Sequence, residues 1–271
     1  MIRLLAASTV GLLLLFVPGV ETATPRWAPA ASATIRPGVA LLTPLDASSG
    51  NACTANFVYT AGGRTYLGMA AHCAGTGSDD AGSGCVEPTL PLGTTVLVRR
   101  SDGGTSDAEL AYSSWITMRE RGERDSQRCS FNDFALVALA PADAARVNPT
   151  VPVLGGPVGV DTDGLRKGEP VVSYSPNDGK AAVHKGTSLG DDASGLLHYV
   201  ATRPPGVPGD SGSGFLDDSG KAFGVLSTVA IAPLPASNGV GDLARELAYA
   251  QSHGFAGVSL VNGTEPFTGG L

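Results

Sequence analysis

The sequence predicts an all-β fold, a sandwich or barrel of many short strands closed by one C-terminal helix. Three observations point there. Gly (37 residues) and Pro (19) are abundant in the 271-residue chain, while charged residues make up only 16%, a balance that suits tight turns over long surface helices. Short apolar runs recur at small intervals, most of them separated by Gly, Pro, Asn or Asp. One stretch near the end, 242–254, carries both a start and a stop signal for a helix.

The N-terminus reads as a signal peptide. Arg3 is its positive residue, and 4–17 form an apolar run of 14 residues, short of the roughly 20 that a spanning helix needs. A-x-A patterns at 28–30 and 31–33 offer cleavage sites, and cutting is expected after Ala33. Residues 20–37, rich in Pro and Ala, read as a flexible junction or short pro-segment. No second long apolar run follows, so the mature protein is expected to be secreted, soluble and off the membrane.

From Cys53 to Cys73 a hairpin is expected, with Phe57, Val58 and Tyr59 on one side of Gly62-Gly63 and Tyr66, Leu67 and Met69 on the other. Folding about residue 63 pairs positions whose numbers sum to 126, and Cys53 and Cys73 are such a pair. They would face each other at the open end of the ladder. Further strands are expected at 94–99, 134–140, 151–154, 170–174, 196–202, 214–216 and 222–229. Asp242 is the expected N-cap of the helix; Leu243, Leu247 and Ala250 form its apolar face with Ala244 and Ala248, and Gly254 stops it. A boundary between two halves, 34–145 and 146–271, falls in 140–152, where Pro and Ala break the pattern.

Export places the four cysteines in an oxidising compartment, where disulfides are favoured over thiols. The absence of C-x-x-C argues against zinc, and no cofactor or metal is implied. A Cys53–Cys73 bridge is worth about 3 kcal/mol on the chain-entropy account, and the remaining pair, Cys85 with Cys129, about 4 kcal/mol. The net charge of −7, with no long Lys/Arg run, argues against a nucleic-acid partner and fits a soluble monomer.

Three residues stand in settings that suit chemistry. Ser211 lies in G-D-S-G-S-G at 209–214. A serine hydroxyl needs a base to take its proton and preset donors for the oxyanion. Glycine at 209 lets the N–H groups of Gly209 and Ser211 converge on one oxygen. His72 ends the expected hairpin behind two alanines and beside Cys73, held rigidly with room around its ring. Asp133 interrupts an otherwise apolar stretch at 131–139; a buried carboxylate demands a partner, and a histidine N–H is a natural one. His184, His198 and His253 lack comparable surroundings and read as structural or solvent-facing.

Taken with their order, His–Asp–Ser, the motifs A-A-H-C (70–73), N-D-F-A-L (132–136) and G-D-S-G (209–212) resemble the trypsin/chymotrypsin-like serine protease family over about 38–260. The resemblance implies two six-stranded antiparallel β-barrels, with His72 and Asp133 from the first and Ser211 from the second. It implies a secreted endopeptidase acting on a polypeptide substrate. Ser227, Thr228 and Val229 would be the strand that substrate backbone joins, and 205–208 with Val229 would line the specificity pocket.

The chain departs from the family in several places. Pro205 stands at the pocket base where an acid would select Lys or Arg, and Val229 stands where open pockets carry Gly. Small aliphatic side chains are the expected preference. No Ile-Val-Gly-Gly start follows a basic cleavage site, so Asp210 needs another partner, for which Arg166 and Arg203 are the candidates. All four cysteines precede residue 130. Two alternatives stay open: a protease-like binding protein with weak or no turnover, and an esterase using the same three residues.

Overall fold

The structure, a computed structural model, describes residues 27–77, 82–177, 181–192, 194–230 and 233–269, apart from the side chains of Val229 and Ala230. The expected signal-peptide residues 1–26 lie outside it.

The first half supplies strands β1 (Ala40–Pro44), β2 (Gly50–Thr54), β3 (Val58–Ala61), β4 (Arg64–Met69), β5 (Thr95–Arg99), β6 (Thr105–Ser113) and β7 (Ala135–Leu139). Three short helices punctuate them, α1 (Ser114–Arg121), α2 (Ser126–Phe131) and α3 (Pro141–Ala144). The second half supplies β8 (Pro170–Tyr174), β9 (Val183–Asp191), β10 (Leu197–Arg203), β11 (Gly214–Asp217), β12 (Ala222–Ala230) and β13 (Ser237–Asp242). Helix α4 (Leu243–Ser252) and strand β14 (Ser259–Leu260) follow.

The all-β, two-unit class is the one the sequence predicts. The second unit is a closed six-stranded barrel in the order β10-β13-β12-β11-β8-β9, and every pairing in it is antiparallel. The first unit is an eight-stranded antiparallel sheet in the order β14-β3-β4-β7-β6-β5-β1-β2, where a six-stranded barrel was expected. Its edge strand β14 comes from beyond α4, so the chain end returns to the first unit.

The hairpin at Gly62-Gly63 forms, but its register differs by one from the expected one. Both glycines adopt positive φ (55° and 78°), a two-residue turn centred between them, and Tyr59 therefore faces Tyr66. Cys53 and Cys73 are not members of that ladder. Cys53 lies on β2 opposite Leu41, and Cys73 lies in a 3-10 turn, Ala71–Ala74. The disulfide that joins them (Cα–Cα 6.2 Å) therefore staples two elements rather than closing a hairpin. Cys85–Cys129 is the second bridge.

Residues 151–154 form a turn, not a strand. Pro152 has no N–H for a ladder, and Gly155 N–H donates back to the Val151 carbonyl at 3.0 Å. Strands β1, β2, β6, β9, β13 and β14 had no expected counterpart. Sequences such as SNGVGD and VHKGTSLGD show little apolar alternation and are strands because neighbours take up their backbone groups. Helix α4 begins at its expected cap, where the Asp242 carboxylate accepts the Arg245 N–H at 2.8 Å.

One apolar cluster spans both units. Phe57, Tyr59, Phe134 and Leu136 of the first pack with Leu216 and Val225 of the barrel and with Leu243, Leu247 and Ala250 of α4. This shared core fixes the two units against each other at the place where the candidate residues meet.

The segment after residue 27 is also packed, contrary to a flexible junction. Ile35 is fully buried and bridges Val147. Ala28 N–H donates to the Val147 carbonyl (2.9 Å), the Asn148 side chain to the Ala28 carbonyl (2.7 Å), and Arg36 to the Ala30 carbonyl (3.1 Å). Cleavage after Ala33 would remove part of this strap. A chain starting at Thr34 should therefore be about 1–3 kcal/mol less stable than one starting at Trp27, measured as the urea midpoint. Equal midpoints would show that 27–33 contribute nothing.

Candidate active site

Asp133 sits between α2 and β7 at only 3% exposure, so its carboxylate must collect donors. It does. One oxygen accepts the backbone N–H of His72 at 2.8 Å. The other lies 2.6 Å from His72 Nδ1 and accepts the Ser227 hydroxyl at 2.6 Å. The Asp133 N–H in turn donates to Glu246 Oε1 at 3.1 Å.

His72 belongs to the 3-10 turn that the Cys53–Cys73 bridge ties to β2. Gly75 N–H donates to its carbonyl at 2.8 Å and Ala71 N–H to the Asp133 carbonyl at 3.2 Å, which fixes the turn. With Nδ1 on Asp133, Nε2 has no partner among the described residues, and the side chain is 30% exposed. Burial alone would lower the His72 pKa, but the charge and hydrogen bond of Asp133 outweigh it and the net shift is upward.

Ser211 lies on a loop pinned to the first unit. Thr54 N–H donates to the Ser211 carbonyl at 2.8 Å. Gly212 (φ 90°) presses so closely on Met69 and Ala70 that a Cβ there would come within 2.9 Å of the Ala70 nitrogen. The serine is thereby set beside the segment leading to His72. Its hydroxyl has no hydrogen-bond partner among the described residues. Gly209 adopts φ 98°, and among the described residues its N–H and that of Ser211 are unpaired. The arrangement offers an oriented imidazole, a free hydroxyl and two free amide donors on one loop.

No family model matches the chain, and no curated protein does. Solved structures do. A protease from M. tuberculosis in its active form aligns over 95% of this chain and 98% of its own, at 16% identity and a TM-score of 0.50. A glutamic acid specific serine protease aligns over 84% and 100%, at 16% and 0.50. A serine endoprotease from Yersinia pestis aligns over 82% and 64%, at 13% and 0.51. This chain has a chymotrypsin-like fold.

Within that fold, the loop before the serine is built without an arginine. Asp210, buried at 2%, accepts the Ser175 hydroxyl at 2.5 Å, the Asn177 amide at 3.2 Å and the Val207 N–H at 2.9 Å. Arg166 and Arg203 are both exposed, and neither bonds to it among the described residues. Neutral donors from the end of β8 replace the expected cation. Asn177 and Thr54 also donate to the Gly209 carbonyl, at 2.6 and 2.9 Å, and so orient the peptide that follows Gly209. These two residues gave no sequence signal, because short polar side chains at strand ends and in loops are common.

The strand expected to receive substrate also reaches Asp133. β12 shifts register between Leu226 and Thr228, a bulge that frees Ser227 from the ladder and turns its hydroxyl to Asp133. Past Val225, β12 has no strand partner on its β11 side among the described residues, which leaves backbone at 227–229 open to pairing. Thr228 is half-buried against Gly239. Pro205 is half-buried beside Gly206, whose N–H and C=O are both held by the Asn238 side chain. The expected narrowing by Val229 falls on a side chain outside the described residues.

The other histidines are engaged elsewhere. His184 stands between the carbonyls of Pro204 and Ser175, and His198 between Asp191 (2.6 Å) and Asp242 (3.0 Å). His253 contacts the Tyr249 carbonyl.

Replacing Ser175 by Ala takes one donor from the buried Asp210 carboxylate. The expected cost is about 1–3 kcal/mol, read from denaturant unfolding. An unchanged midpoint would show that this hydroxyl does not support the loop.

Proposed function

We propose that the chain is a secreted serine endopeptidase that cleaves peptide bonds through an acyl-enzyme on Ser211. The observation that carries this reading is the buried Asp133 gripping His72 Nδ1, with Ser211 and two unpaired amides on the adjoining loop. His72 Nε2 takes the Ser211 proton as the oxygen attacks the substrate carbonyl. The Gly209 and Ser211 N–H groups receive the oxyanion. His72 then returns the proton to the leaving amine, and water, deprotonated by the same nitrogen, releases the acyl group. Substrate backbone pairs with 227–229. Pro205 and Val229 favour a small aliphatic side chain before the scissile bond.

Two disulfides support an extracellular setting, and no helix among the described residues is long and apolar enough to cross a membrane. The chain is read as a monomer that needs no cofactor.

A fluorophosphonate should label Ser211, and a mixed peptide library should be cut; Ser211→Ala should abolish both while the fold persists. Absence of labelling would sink the reading, and labelling without peptide cleavage would point to ester hydrolysis. His72 must be neutral to act as base. Because its pKa is raised, the acid limb of kcat/KM should fall above pH ~6.5, the ordinary histidine value. A limb below that value would contradict the Asp133 partnership.

A further inference from the structure

Helix α4 carries a carboxylic side chain into the apolar core. Glu246 is 2% exposed, and it follows Leu243 by three residues and precedes Ala250 by four, on the face that packs against both units. Its Oε1 accepts the Asp133 N–H, while Oε2 has no partner among the described residues. Gly241, just before the helix, is required by this placement, since a Cβ there would lie 2.5 Å from Oε1. Asp133 and Asp242 are the acids near Glu246, with Tyr59 of β3 and Tyr112 of β6 as its titratable neighbours; no cation pairs with it among the described residues.

We infer that Glu246 is a positioning residue for the proposed reaction: as a neutral acid it anchors the backbone of Asp133 from behind, so that the carboxylate keeps its aim on His72. The inference rests on the acyl-enzyme reading above. Asp133 is then held on two sides, its carboxylate by His72 and Ser227 and its N–H by Glu246. The neutral form follows from the surroundings. Burial, and then the adjacent Asp133 charge, push the Glu246 carboxyl well above the ordinary glutamate range. A charged Glu246 would set a second anion against Asp133 with no cation to offset it.

The test compares Glu246→Gln, which keeps a neutral acceptor of the same shape, with Glu246→Leu, which leaves the Asp133 N–H orphaned. Peptide kcat and KM are measured together with the His72 titration by NMR, which needs no turnover. Glu246→Gln should keep kcat within about twofold. Glu246→Leu should lower kcat by roughly tenfold or more with KM little changed, and should shift the His72 pKa downward by roughly half a unit or more as the Asp133 contact loosens. If Glu246→Leu fails to fold, Gly241→Ala carries the test, because it presses on the same oxygen without removing it; it too should lower kcat and the His72 pKa. Wild-type kcat and His72 titration in Glu246→Leu, or in Gly241→Ala where that variant stands in, would overturn the inference. So would a loss in Glu246→Gln as large as in Glu246→Leu. Full activity in Ser211→Ala is a separate result, and it would refute the underlying reading instead.

Discussion

A carboxylate almost shut off from water has to be enclosed by donors, and those around Asp133 come from places far apart in the chain. The 3-10 turn supplies the His72 N–H and Nδ1, and the bulge of β12 supplies the Ser227 hydroxyl. Glu246 of α4 takes up the Asp133 backbone. These groups belong to the first unit, to the barrel and to the closing helix. Satisfying one charge therefore forces the two units into one relative placement. The apolar cluster of Phe57, Phe134, Leu216 and Leu243 favours the same placement through burial. Hydrophobic packing brings the units together, and the Asp133 network sets their register.

A second buried carboxylate, Asp210, organises the serine loop in the same way but with different chemistry. Among the described residues its donors are neutral, from Ser175, Asn177 and the Val207 backbone. The loop before Ser211 is thus preset by groups on the folded barrel.

Much of this was legible in the sequence because the chemistry constrains residue types locally. Asp133 in an apolar run had to find a partner, and His72 beside a cysteine had to be rigid. The helix was legible for the same reason, with Asp242 as cap and a clear apolar face. Glu246 on that face was not singled out, although an acid between Leu243 and Ala250 was a signal the sequence offered. What stayed hidden depends on long-range pairing. The bulge at Ser227 follows from the register between β12 and β13, which no local pattern encodes. Strands such as β9 and β13 are held by neighbours and show little alternation of their own. The one-residue error at Gly62-Gly63 arose from centring the turn on one glycine, when two with positive φ make a two-residue turn.

The central claim is that Asp133, by fixing the tautomer and aim of His72, makes Ser211 reactive. Asp133→Asn tests it most directly, because the amide nearly preserves shape while removing the charge and offering an N–H where Nδ1 needs an acceptor. The expected result is a folded protein whose kcat on a peptide substrate falls by about 10⁴-fold. A folded Asp133→Asn protein with kcat within about tenfold of the parent would contradict the account.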